Sequence, residues 1–211
     1  MTQRLIGLAA ALTAAMSLSG CVSLLPKAKP AQLYRFAVDA PAQPAAGDAQ
    51  GVGLEPVSFP REAMGDGILT VQGSQTSYIG GARWVGPAAV LFRQALDQAF
   101  DASAPRIRLR ARGEPGRLAA SLNLDVTRFE ADYSDPKGAP TVRVTVRARL
   151  SAPDATPIAA ETFDASEPAP DNRVSVIVDA YNRAGSKALT GLAQWVERNT
   201  PPAPPAARPA R

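Results

Sequence analysis

The sequence predicts an α+β fold: a largely antiparallel, twisted sheet with two amphipathic helices packed on one face. Three observations carry this expectation. Between residues 106 and 165 apolar and polar residues alternate with a period of two, the signature of strands with one buried and one solvated face. The segments 87–100 and 174–196 instead repeat their apolar residues every three or four positions, as helices do. A composition of 45% hydrophobic and 20% charged residues over 211 positions belongs to a globular chain with a core of its own.

The elements follow in order. Residues 1–20 have the build of an export signal, with Arg4 near the start, an uncharged run from Leu5, and small residues at its end. An uncleaved membrane anchor is the other reading of this stretch, because residues 5–25 carry no charge and are long enough to span a bilayer. Residues 21–32 read as a tether and residues 33–199 as the folded domain. Within the domain "LYRFAV" (Leu33 to Val38), "VGLEPVSFP" and "GILTVQGS" are short strand-like runs, and "DAPAQPAAGDAQG" (Asp39 to Gly51) is a Pro/Ala/Gly loop. "TSYIGGARWVGP" holds another extended piece. Gly86-Pro87 opens a helix, since proline suits a first helical position, and Ala88, Leu91, Phe92, Ala95, Leu96 and Ala99 form its apolar stripe.

A meander comes next. In "RIRLRAR" the residues Ile107, Leu109 and Ala111 face one way, and Arg106, Arg108, Arg110 and Arg112 the other. Leu118 to Val126 alternate, but the apolar register then moves to Phe129, Ala131 and Tyr133, which predicts a bulge near Thr127-Arg128. Val142 to Leu150 form another one-sided strand with Arg143, Arg147 and Arg149 outward, and "IAAETFDAS" is a shorter one. Asp171 is placed to cap the last helix, whose apolar face runs from Val174 to Val196 and which Asn199 ends. Residues 200–211 are a Pro/Ala-rich tail, expected to be disordered and extended.

Composition removes whole classes of chemistry. The chain has no histidine, which excludes a Ser-His-Asp or Cys-His catalytic arrangement and any His-ligated metal. Its single cysteine excludes an intramolecular disulfide and a multi-cysteine metal cluster. Glu55, Asp125, Glu130 and Asp132 are the carboxylates available for acid-base work, but nothing in their spacing makes them converge. The glycine-bearing stretches fit no phosphate or dinucleotide fingerprint. Neither catalysis nor a cofactor is therefore expected. The arginine rows read as a solvated outer face balanced by acidic neighbours, or as a contact with anionic headgroups, glycans or an acidic partner.

Leu18-Ser19-Gly20-Cys21 resembles the lipobox of bacterial lipoproteins. That resemblance implies a diacylglycerol thioether on Cys21, cleavage just before it, and acylation of the new amino terminus. A thiolate is the nucleophile that such chemistry needs. In enterobacteria an Asp after the cysteine marks inner-membrane retention, and Val22 stands there instead, which points to the periplasmic face of the outer membrane.

The order of elements resembles the ABC-type transport auxiliary lipoproteins, the class of the paraquat-inducible protein C lipoprotein. "LYRF", "LEPVSFP", "ILTVQGS" and above all "ARWVGP" before an amphipathic helix carry the likeness, over roughly residues 21–198. Relatives often continue the second strand into a Leu-Pro-Pro-Tyr-Leu-like stretch, whereas Phe59-Pro60 here precedes "REAMGDG". The resemblance implies a non-catalytic partner of an ATPase, a permease and an MCE-domain (mammalian-cell-entry type) periplasmic protein, in a system moving phospholipid or other hydrophobic molecules. It implies attachment to the membrane through lipid, a homo-oligomeric ring of subunits, and no nucleic acid. Arg83 and Trp84 are the candidate partner-binding residues, with a core role for Trp84 left open. Trp195 reads as core or membrane-facing. A lipoprotein that assists outer-membrane or lipopolysaccharide assembly is the alternative function.

Overall fold

The computed structural model describes residues 30–38, 46–47 and 49–202. Cys21 and its flank Leu18-Ser19-Gly20 lie outside these residues, as do most of the Asp39–Gly51 loop and the end of the Pro/Ala tail.

Eight strands and two helices make the domain: β1 (Gln32–Tyr34), β2 (Gln50–Leu54), β3 (Gly67–Gln72), β4 (Gln75–Trp84), α1 (Ala88–Ser103), β5 (Ile107–Ala111), β6 (Ala120–Asp132), β7 (Thr141–Ser151), β8 (Pro157–Pro168) and α2 (Val174–Asn199). All strands join one mixed sheet. Its longest ladders are the antiparallel β6–β7 and β7–β8 pairs, and β3–β4 is an antiparallel hairpin. The hairpin turns at Gly73, whose φ of +59° a side chain would resist. Parallel pairs complete the sheet: β1–β4, β2–β5, β2–β6 and β3–β6.

The strand β6 organises this arrangement. Leu122, Leu124 and Val126 are fully buried, while Ser121, Asn123 and Asp125 between them are half-exposed. The alternation breaks where expected: the β6–β7 register shifts between Val126 and Arg128, and Phe129 and Ala131 take over the buried face. On one edge β6 pairs with β7 throughout. On the other it takes β2 at Ala120–Leu122 and β3 at Ala131–Asp132, with one bridge between Ser58 and Asp125 in the gap.

Both helices lie on the apolar face. From α1 come Leu91, Phe92, Ala95, Leu96, Ala99 and Phe100; from α2 come Ile177, Val178, Tyr181, Ala184, Leu189, Leu192 and Val196. The centre is aromatic. Phe36, Trp84, Phe92, Phe129 and Tyr181 pack with centroid separations of 5.0–6.3 Å, mostly edge to face. Trp195 also points inward, edge-on to Phe163 at 5.8 Å, which settles its role as core.

Several local expectations need correction. Asp171 does not cap α2. Its carboxylate accepts a bond from Arg173 Nε at 2.7 Å, and Arg173 holds the cap position without a side-chain bond. Pro87 precedes the first turn of α1 in extended geometry (ψ 130°) and is not its first helical residue. The "LYRFAV" strand is only three residues long, because Phe36 and Val38 leave the β4 ladder to enter the core. Finally β8 is longer than "IAAETFDAS", since it runs on to Pro168.

Candidate functional site

The Arg83-Trp84 pair sits where β4 leaves the sheet. Strand alternation sends Ala82 and Trp84 inward and Arg83 outward. Trp84 is 2% exposed, between Phe36, Phe129 and Tyr181, so the indole is a core residue and no part of it is offered to a partner. Its backbone N–H donates to Asp66 O at 2.8 Å. Arg83 lies on the surface, its Nη1 3.0 Å from Asp66 Oδ2 with both side chains at least half-exposed.

Around Arg83 the backbone forms a shallow groove of about 480 Å³. One wall is the Arg61–Asp66 loop and the other the kinked middle of β4. The β3–β4 register slips between Gly67 and Leu69, and the extra length bows out through Ile79, Gly80 and Gly81. Gly81 has a φ of +71°, which that bow requires. Tyr78 closes one end. Its ring lies over Gly67, where a Cβ would come within 2.6 Å, and its hydroxyl donates to Glu62 O at 2.9 Å. Arg61, Glu62, Asp66 and Arg83 therefore present mixed charge along an open trough.

The carboxylates named from the sequence do not assemble into a centre. Glu55 faces Arg112 at 3.8 Å. Glu130 and Asp132 share Arg128 on the uncovered face of the sheet, and Asp132 also accepts from Arg143 at 2.9 Å. Asp125 lies opposite Arg147 across the β6–β7 ladder. These pairs neutralise charge on a solvated surface. Among the described residues no group of three or more His, Cys, Asp or Glu side chains could hold a metal, and no helix is long and apolar enough to cross a membrane.

The arginine row of β5 is divided. Arg106 reaches Glu197, Arg110 reaches Glu114 and the Pro115 carbonyl, and Arg112 reaches Glu55. Acidic neighbours thus meet three of the four.

Two features were not anticipated from the sequence. Tyr181 donates its hydroxyl to Leu69 O at 2.8 Å inside the core, tying α2 to β3. Burial pushes this phenol well above its ordinary pKa. Glu167 faces the helix side of β8, where Lys187 and Arg183 of α2 meet it. The Lys187 hydrogen bond holds its carboxyl below the usual range; burial opposes the shift and Arg183 assists it.

Comparison with known proteins agrees with the fold. A crystallised protein from Xanthomonas campestris is 22% identical and superposes with a TM-score of 0.69 over 80% of this chain and 96% of its own. A second, uncharacterized crystallised protein is 14% identical, with a TM-score of 0.64 over 80% of this chain and 99% of its own. Both likenesses concern the fold alone. No curated protein matches the chain. The family model for the ABC-type transport auxiliary lipoprotein component matches residues 34–193, from β1 through most of α2, and the chain belongs to that family.

Proposed function

We propose that this protein is a lipid-anchored, non-catalytic adaptor at the periplasmic face of the outer membrane. It serves an MCE-type ABC transport system that moves phospholipid or other hydrophobic molecules, and Cys21 carries the diacylglycerol and the amino-terminal acyl chain. The family match over residues 34–193 carries the reading: it makes the chain an auxiliary transport lipoprotein, associated with the cell envelope. The lipobox-like Leu18-Ser19-Gly20-Cys21 supports the anchor, and the mixed-charge trough beside Arg83 supports a docking role. In this reading Arg83 meets the MCE-domain protein, and Trp84 acts from inside by fixing the backbone that presents it. Several identical subunits would surround the end of the MCE-domain protein.

The test is capture of the MCE-domain protein by the full chain. Arg83→Ala should lower capture while changing stability by no more than about 1 kcal/mol, because its ion pair with Asp66 is solvent-exposed. Full capture by a folded Arg83→Ala variant would remove that contact. Cys21→Ser should leave an unprocessed precursor without lipid; normal-sized, membrane-held protein from this variant would refute the anchor.

A further inference from the structure

The described residues expose five large hydrophobic side chains: Leu33 (64%), Met64 (46%), Tyr78 (56%), Val85 (49%) and Val90 (51%). Scattered single residues of this kind are ordinary on a protein surface. These are not scattered. Leu33 pairs with Arg83 across the β1–β4 ladder, and Val85 N–H donates to Tyr34 O at 2.7 Å. The first turn of α1, which carries Val90, donates from Ala88 and Ala89 to the carbonyls of Gly65 and Met64. Tyr78 is committed to the trough through Gly67 and Glu62. These backbone bonds bring the other four to one corner, where β1, β4, the 61–66 loop and the start of α1 meet, with Leu33 on the outward face that Arg83 shares and Val90 on α1. The meander β5–β8 and all of α2 expose no large hydrophobic residue.

We propose that this corner rests on the headgroup layer of the membrane that holds the lipid anchor. The inference depends on the reading that Cys21 is acylated, and two observations favour a membrane as the occupant. The first is chain length. Only residues 22–31 separate Cys21 from β1, and ten residues reach at most about 35 Å. Leu33 is the second residue of β1, so the tether delivers this corner, before any other part of the fold, to the lipid surface. The second is charge. Arg35 and Arg61 are exposed beside the apolar residues and have no ion-pair partner among the described residues, while Asp66 is occupied by Arg83. Among the described residues of this corner Glu62 is the one acid without an ion pair, so the corner is net basic and complements anionic headgroups. Apolar side chains and arginines at one place give a second, weaker membrane attachment beside the acyl chains. The trough lies next to this corner, so a partner docked in it would be held against the bilayer.

Single-cysteine labelling tests this. Full-length mature protein is reconstituted into vesicles of phosphatidylethanolamine and phosphatidylglycerol, and an environment-sensitive dye is placed at Leu33→Cys, at Val90→Cys, or at Thr162→Cys on the outer face of β8. An acylated Cys21 takes no dye, so labelled wild-type protein would overturn the anchor and the proposal with it. With wild type unlabelled, spin-labelled lipids should quench the probes at 33 and 90 at least about twofold more than the probe at 162, since interfacial side chains enter roughly 5–10 Å. Equal quenching at all three sites overturns the proposal alone. So does shielding of 33 and 90 from an aqueous quencher without lipid quenching, which would mean that a second copy of the chain covers this face.

Discussion

Gly185 sits in the interior of α2, where glycine is normally a weakness, and the reason it stands there is Phe36. A Cβ at position 185 would lie 2.4 Å from Phe36 Cζ and 2.6 Å from Cε2, far inside contact distance. The Phe36 ring has little freedom to retreat, being buried against Trp84, Phe92 and Phe129. Alanine in a helix interior is favoured over glycine by about 0.8–1 kcal/mol. Overpacking of a filled core costs roughly 1–3 kcal/mol. Gly185→Ala should therefore destabilise the domain by up to about 2 kcal/mol, a fall in Tm of up to roughly 8 °C for a chain of this size. The double variant carries the stronger test. In a Phe36→Leu background, itself destabilised by the lost ring contacts, adding Gly185→Ala should cost nothing or stabilise by a few tenths of a kcal/mol, as helix propensity is regained. Thermal and urea unfolding of the four proteins of the cycle measure this. Equal loss in both backgrounds, or a gain from Gly185→Ala alone, would show that Phe36 is not what position 185 accommodates.

Removing the Tyr181 hydroxyl by Tyr181→Phe leaves Leu69 O without its side-chain donor in the core, and should cost about 1–2 kcal/mol in urea unfolding. An unchanged midpoint would mean that the hydroxyl adds nothing to the hold of α2 on β3. Glu167 predicts a pH dependence. Its folded pKa is lowered, so between the folded and unfolded values the unfolded chain binds more protons, and stability rises with pH. The contribution is present above the ordinary glutamate range near 4.3 and disappears as pH falls through the lowered folded value. Glu167→Gln should be less stable than wild type at pH 7 and converge with it in acid; a constant difference across the titration would assign the effect to packing.

Much of the fold is written in local spacing. Both helices, the one-sided strands β6 and β7, and the bulge after Val126 follow from which residues repeat and where the repeat slips. Pairing between distant segments does not follow, because β1 and β2 are short and pair only with parallel neighbours far away in sequence, and β3 adds such a neighbour to its hairpin with β4. Glu167 shows a second limit. A carboxylate two residues after Ala165 reads as the end of a strand, and only the arrival of Lys187 and Arg183 from α2 makes an inward position tolerable. At the candidate site the sequence singled out Arg83-Trp84 as a pair, but indole and guanidinium point to opposite sides of β4. The exposed apolar corner is hidden for the same reason as the parallel strands: Leu33 joins Met64, Val85 and Val90 only once β1 has docked.

The two-partner edge of β6 also divides the domain's contacts into local and distant ones. Its β7 neighbour follows after a short turn, so β6, β7 and β8 close as a meander with little loop entropy to overcome. Along the opposite edge wait residues from positions 52–54 and 70–71, whose arrival depends on contacts across long stretches of chain. Until they dock, Phe129 and the rest of the aromatic cluster lack Trp84 and Phe36 as cover. The amino-terminal third of the domain is thus held to the meander wholly through contacts that are long in sequence, and the piece closest to the tether is among them.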